Sequence, residues 1–130
     1  MKMIIGGAYQ GQIEWAQEQY KDINWINGET CEFSEVFTCQ GILNFHAYMK
    51  RILQEEPDIV SESKLQILAE RLIEKNPDII VVSDEIGCGL VPIDAFERQY
   101  REQTGRICTE LASYSEQVVR VVMGIGTIIK

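Results

Sequence analysis

Apolar residues recur along this chain in two rhythms, short unbroken runs and helical stripes, and the two alternate. Lys2 to Ile5 is a β-branched run that stops at Gly6-Gly7, and from Gly11 to Tyr20 the residues Ile13, Ala16 and Tyr20 lie along one side of a helix. Asn24, Asn27-Gly28 and Ser34 break the next stretch into pieces, which predicts a weak strand near Ile23 to Ile26 and another near Val36 to Cys39. Ile42, Phe45, Met49, Ile52 and Leu53 predict a helix from Ile42 to Gln54, closed by Pro57. A second helix, capped by Ser61 or Ser63, carries the stripe Leu65, Leu68, Ala69, Leu72 and Ile73 and ends at Asn76-Pro77.

Ile79 to Val82 is continuously apolar between turn signals, the pattern of a strand covered on both faces. A long helix follows, with Ile93, Phe96, Tyr100, Ile107, Leu111 and Tyr114 on its apolar side, and Val118 to Met123 is a last strand that Gly124 to Lys130 leaves through two glycines. Strands alternating with helices predict a mainly parallel α/β sheet in one domain over residues 1–130, with ligands at the carboxyl ends of its strands.

Charge narrows the function classes. Twelve Lys and Arg against twenty Asp and Glu give a net charge of −8, which argues against nucleic acid as a partner, since phosphate backbones need a cationic surface. No apolar run approaches the roughly twenty residues that cross a bilayer, so no membrane partner is expected. The four cysteines form no CxxC pair and the chain has one histidine, His46, which leaves no ordinary zinc set and no expected metal site. Without an export signal, reduced thiols and a cytoplasmic location are expected.

Three segments carry candidate chemistry. Gly6-Gly7-Ala8-Tyr9-Gln10-Gly11-Gln12-Ile13 follows a strand and opens a helix, the context of a GxxxxGK[ST] phosphate loop. The glycines Gly6 and Gly11 have the spacing; Gln12 stands at the lysine position and Ile13 at the hydroxyl position, so a plain tight turn accounts for the pattern as well. Ser83-Asp84-Glu85 ends a buried strand, where an acid can orient a nucleophile or simply cap a loop. Gly87-Cys88-Gly89 is either a backbone nest for an anion or the turn into the long helix. Arg98, Arg101 and Arg106 can meet phosphate or pair with Glu97, Glu102 and Glu110. His46 has no partner assignable from sequence and reads as structural, and Cys39 and Cys88 read as ordinary buried thiols.

The stretch Val82 to Pro92, then Arg98, Tyr100-Arg101 and Gly105-Arg106, resembles the V-[ST]-N-E-V-G-x-G-[IL]-V-P and R-x-[FY]-R-[DE]-x-x-G-R signatures of the bifunctional adenosylcobinamide kinase/adenosylcobinamide-phosphate guanylyltransferase family of cobalamin biosynthesis. The ending Gly124 to Lys130 is similar to that family's G-[IL]-x-x-x-[IL]-K finish, and Ile4 to Gly11 resembles its G-G-A-R-S-G-K-S loop. The resemblance implies a P-loop NTPase-like (RecA-like), mainly parallel sheet flanked by helices, a homo-oligomer (a trimer in the family), and a corrinoid or nucleotide as ligand. It singles out Gly6, Gly7, Ala8, Gly11, Gln12 and Ile13 as the loop, and Asp84, Glu85, Gly87, Gly89, Pro92, Arg98 and Arg101 as the signature. The departures fall on the chemistry: lysine and serine of the loop are Gln12 and Ile13, the arginine is Tyr9, and Phe37-Thr38-Cys39 aligns with a strand ending in [DE]-C so that Thr38 replaces the acid. The chain is shorter than family members where they hold their guanylylated histidine, to which His46 does not correspond. The expected protein is therefore a degenerate, non-catalytic member that binds or regulates, with no resident cofactor and at most weak phosphate or nucleotide binding. An active kinase or nucleotidyltransferase with an altered site, and a structural partner of an intact member, are the alternatives.

Overall fold

The structure, a computed structural model, describes residues 1–55, 62–86 and 93–130, and only the backbone of 62–65. Six strands form one sheet in the order β2-β3-β4-β1-β5-β6: β1 Lys2–Gly6, β2 Trp25–Asn27, β3 Gly41–Leu43, β4 Ile80–Asp84, β5 Gln117–Val122 and β6 Ile125–Ile128. All neighbours are parallel except β5 and β6, which form an antiparallel hairpin. With α1 Gln12–Gln19, α2 Phe45–Glu55, α3 Glu62–Lys75 and α4 Ala95–Tyr114, this is the expected α/β, P-loop NTPase-like sheet flanked by helices. No helix among the described residues is long and apolar enough to cross a membrane.

Alternation along the central strands builds two cores. Met3, Ile79, Val81 and Val118 point to the face covered by α2, α3 and α4, where they meet Ile42, Phe45, Met49, Leu72, Tyr100 and Leu111. Ile4, Ile80, Val82, Val119 and Val121 point to the other face and pack on Ala16 of α1. Each such buried aliphatic side chain contributes roughly 1.5–3 kcal/mol. The expected core of Ile4, Ile79 to Val82, Val119 and Val121 against Leu72 and Tyr100 is buried as expected, with Leu68 and Phe96 partly buried beside it; the Leu65 side chain lies outside the described residues, as do Pro57 and Ser61.

Four expectations are corrected. Val36 to Cys39 is not a strand: Phe33–Phe37 is a 3₁₀ helix, because Glu32 and Glu35 cap one another's backbone N–H groups reciprocally. The Asn76 amide then donates to the carbonyls of Val36 and Cys39 at 2.9 and 2.8 Å, holding the turn that follows. The strand lies instead at Gly41–Leu43, where Gly41 is required because a Cβ would stand 2.5 Å from the Trp25 ring; Ile42 is therefore a strand residue, and α2 starts after Asn44, whose φ is 56°. Ile93 is 95% exposed, since α4 begins only at Ala95, with the Asp94 carboxylate accepting from the N–H groups of Phe96 and Glu97. Finally, the two glycines after Val122 do not end the sheet: Gly124 turns the chain back, and Gly126 lies within β6, opposite Val121.

Candidate functional site

The carboxyl ends of β1 and β4 meet at Gly6 and Asp84, which are partners in the parallel register. Gly6 can only be glycine, because a Cβ would lie 2.7 Å from the backbone carbonyl oxygen of Val121 on β5. The loop then turns through Tyr9 (φ 61°) and Gly11 (φ 90°), and the first helical bond of α1 runs from the Trp15 N–H to the Gly11 carbonyl at 2.9 Å. The β5–β6 turn braces it from outside: the N–H of Gly124 donates to the Gln10 carbonyl at 2.7 Å and that of Met123 to Gln10 Oε1 at 2.8 Å.

Gln12, 4% exposed, folds back under this loop. Its Nε2 donates to the carbonyls of Gly6 (3.3 Å) and Gly7 (3.1 Å) and to Asp84 Oδ1 (2.5 Å), while its Oε1 is buried without a partner among the described residues. Ile13 packs with the α1-side core. An amide thus occupies the space at the mouth of the strand pair, and Ile13 brings no hydroxyl beside it.

Asp84 is shared with His46 at the start of α2. The backbone N–H of Asp84 donates to His46 Nδ1 at 3.0 Å, and His46 Nε2 lies 3.6 Å from Asp84 Oδ2. Because Nδ1 accepts, the ring proton of the neutral imidazole sits on Nε2 and faces the carboxylate. Burial lowers the His46 pKa and outweighs the opposing pull of Asp84 and Glu29. Sequence could not find this contact, since it joins residues on separate elements with no motif between them.

A cleft of about 290 Å³ opens over these groups, lined by Ala8, Tyr9, Gly11 to Glu14, Glu29, Asn44, His46 and Asp84. It brings Ala8, Gly11, Gln12 and Ile13 of the expected loop together with Asp84, while Gly6 and Gly7 meet Gln12 through their carbonyls. Among the described residues its lining holds three carboxylic side chains, Glu14, Glu29 and Asp84, and no lysine or arginine. Asn44 stands at the end of β3, the strand next to β4. It therefore takes the strand-end position assigned from sequence to Thr38, which is exposed on the turn after the 3₁₀ helix.

Glu85 turns away from this cleft, pairing with Arg120 on β5 at 3.0 and 3.2 Å. With Ala8, Asp84, Ile86, Glu97, Tyr100 and Arg101 it lines a second cleft of about 280 Å³ on the α4 side. Arg98 is exposed on α4, Arg106 pairs with Glu102 at 2.8 Å as expected, and Glu97 pairs with Lys50 on α2. Gly87, Gly89 and Pro92 of the signature, with Cys88, lie outside the described residues. Among the described residues no group of three or more His, Cys, Asp or Glu side chains could hold a metal ion. Cys39 is a half-buried thiol whose pKa burial pushes up to about 11.

The sequence model of the family described as cobinamide kinase / cobinamide phosphate guanyltransferase matches residues 38–129, well over half of the chain. The chain belongs to this family. The bifunctional adenosylcobalamin biosynthesis protein CobU of Salmonella typhimurium is 32% identical over 85 residues, 65% of this chain and 42% of that protein. The protein of the same name from Escherichia coli is 38% identical over 52 residues, 40% of this chain and 29% of that protein. The aligned regions thus span less than half the length of either curated relative. The matched span of the cobinamide kinase family takes in β3, β4, α4 and the β5–β6 hairpin, and the glycine loop lies before it. Within the family signature, the usual asparagine is Asp84 in this chain, the residue that receives Gln12.

Proposed function

We propose that this chain is a degenerate member of its family, a binding or regulatory protein linked to cobalamin metabolism that does not carry out magnesium-nucleotide chemistry. The observation that carries the reading is the Gln12 amide, bonded to Gly6, Gly7 and Asp84 in the place where a phosphate-binding loop needs a cation. The residues present do not fit a magnesium nucleotide: Ile13 offers the metal no oxygen, and the cleft lining sets Glu14, Glu29 and Asp84 against a polyphosphate. A charge-assisted lysine-phosphate hydrogen bond is worth about 1.5–3 kcal/mol, so loss of the lysine alone weakens nucleotide binding roughly ten- to a hundredfold.

The alternative of an active enzyme built on Glu85 has less support, because Glu85 is held by Arg120 outside the loop-side cleft. His46 is not arranged as a nucleophile either, since the lone pair on Nδ1 is engaged by Asp84 and Nε2 holds the proton. The corrinoid ligand and the homo-oligomer rest on the family link; the exposed Met123, Ile125, Ile128 and Ile129 on and beside the β5–β6 hairpin are in keeping with a buried contact in an assembly.

Calorimetry tests the reading. Wild type is expected to bind neither ATP nor GTP with magnesium tightly, and to bind a corrinoid without nucleotide. The variant Gln12→Lys, Ile13→Ser, Asn44→Asp restores cation, hydroxyl and strand-end acid, and is expected to gain magnesium-dependent nucleotide affinity. Asn44 rather than Thr38 is the position for the acid, and its φ of 56° suits Asp as well as Asn. Tight magnesium-nucleotide binding by wild type, or a covalent GMP adduct on His46, overturns the proposal.

A further inference from the structure

Asp84 is divided between two partners, and only one of them can change its charge. Oδ1 accepts from Gln12 Nε2, Oδ2 faces His46 Nε2 at 3.6 Å, and the backbone N–H of Asp84 is held by His46 Nδ1 at 3.0 Å. We propose that His46 is a proton-controlled latch on the closed glycine loop: neutral, it holds Asp84 against Gln12, and protonated, it draws Asp84 away and frees the Gln12 amide to leave the loop. The proposal rests on the reading of the loop as closed by Gln12 and adds what opens it.

The argument is one of lone pairs. In the neutral ring Nε2 already carries a proton, so a second proton can go only to Nδ1. There it would point at the Asp84 N–H, donor against donor, and the 3.0 Å hydrogen bond is lost. The ring must turn, and as an imidazolium it competes for the Asp84 carboxylate with a full charge where Gln12 offers a neutral amide. The groups facing His46 favour that change. Asp84 comes from β4, Glu29 from the turn after β2, and Glu14 from α1 across the same cleft, and among the described residues no lysine or arginine lines that cleft. On its own helix the nearest cation, Lys50, is one turn away and paired with Glu97. Burial nevertheless keeps the neutral ring favoured to below the usual imidazole range, so the latch is shut at neutral pH and opens in acid.

The chain has one histidine, so its two ring nitrogens are read without ambiguity by long-range ¹H–¹⁵N NMR on labelled wild type. Near neutral pH a protonated Nε2 and a bare Nδ1 are expected. As pH falls, the Asp84 backbone amide and the Gln12 side-chain NH₂ signals are expected to shift with the same midpoint as the ring. Affinity for inorganic sulfate, whose charge is constant over this range, is expected to rise about tenfold across that midpoint, one unit of log K for one freed charge-assisted contact. His46→Asn keeps an acceptor for the Asp84 N–H but does not titrate, and is expected to abolish both changes. A proton on Nδ1 at neutral pH, Gln12 signals that stay still while the ring titrates, sulfate affinity independent of pH, or coupled shifts that persist in His46→Asn each overturn the latch. Nucleotide binding by wild type at neutral pH would overturn the closed-loop reading through a different measurement.

Discussion

Adjacent glycines at the start of the loop respond oppositely to the same small change. A Cβ on Gly6 would stand 2.7 Å from the Val121 carbonyl oxygen and 3.1 Å from Gln12 Oε1, whereas a Cβ on Gly7 would meet only the Gln10 Cγ at 3.6 Å, an ordinary contact. The Val121 oxygen is backbone on a strand paired with β1, so no side-chain rotation relieves the clash and β1 and β5 must separate locally. Overpacking of this kind costs about 1–3 kcal/mol, and the rigidity of a paired strand puts Gly6→Ala near the upper end. Gly7 has no positive φ, so Gly7→Ala is expected to lie between neutral and about 0.4–1 kcal/mol stabilising through its unfolded chain. In urea, with a slope of roughly 1–3 kcal/mol per molar, Gly6→Ala is expected to lower the midpoint by about 1–3 M and Gly7→Ala to leave it in place or raise it slightly. Equal midpoints for the two variants would refute the reasoning. The comparison also separates two meanings of the glycine pattern, because here Gly6 is demanded by β5 and Gly11 by its φ of 90°, whether or not an anion ever binds.

Other expectations follow from single contacts. Asn76→Ala removes two hydrogen bonds that hold the turn after the 3₁₀ helix, and thermal unfolding is expected to show a loss of about 1–3 kcal/mol; a loss under half a kcal/mol would mean that water replaces them. Burial pushes the Cys39 thiol to about 11 and the Cys108 thiol to about 12, so at pH 8 iodoacetamide is expected to alkylate Cys39 on the order of a hundredfold, and Cys108 on the order of a thousandfold, more slowly in the native protein than after denaturation. The folded pKa of His46 lies below its ordinary 6.5, so in that window the unfolded chain binds more protons. Its contribution to stability is full above about pH 6.5 and falls as pH drops toward the folded value; His46→Asn is expected to flatten this part of a stability-against-pH curve.

The pattern of the sequence carried the centre of the sheet further than its margins. Ile79 to Val82 could be read because strands covered on both faces show no polar interruption, and Leu72 and Tyr100 because helical spacing marks a buried side. Val36-Phe37 misled because two apolar residues in a row suit a strand or a 3₁₀ turn equally, and the capping of Glu32 by Glu35 decided between them. Gly124 and Gly126 looked like an exit from the sheet. In fact Gly124 turns the chain with a φ of 76°, and Gly126 makes room for the Trp15 indole, within 2.4–2.6 Å of where its Cβ would be. Of the candidate site, the loop and Asp84 were legible as motif residues. His46, Asn44 and Glu29 were not, because what brings them to the cleft is the order of strands, a property no local spacing records.

The bond between Gln10 and the β5–β6 turn ties the first loop of the chain to nearly its last residues. A free loop surrenders on the order of 1–2 kcal/mol of conformational entropy per residue when a ligand immobilises it. Here the hairpin has already taken up part of that loss during folding, so whatever enters the cleft meets a surface set in shape beforehand. The same tie transmits in the other direction. A substitution at Met123 or Gly124 lies outside the lining of both clefts, yet it would act on them as a change of stiffness, seen as altered hydrogen exchange at Gly11 and Gln12 before any contact with a ligand is touched.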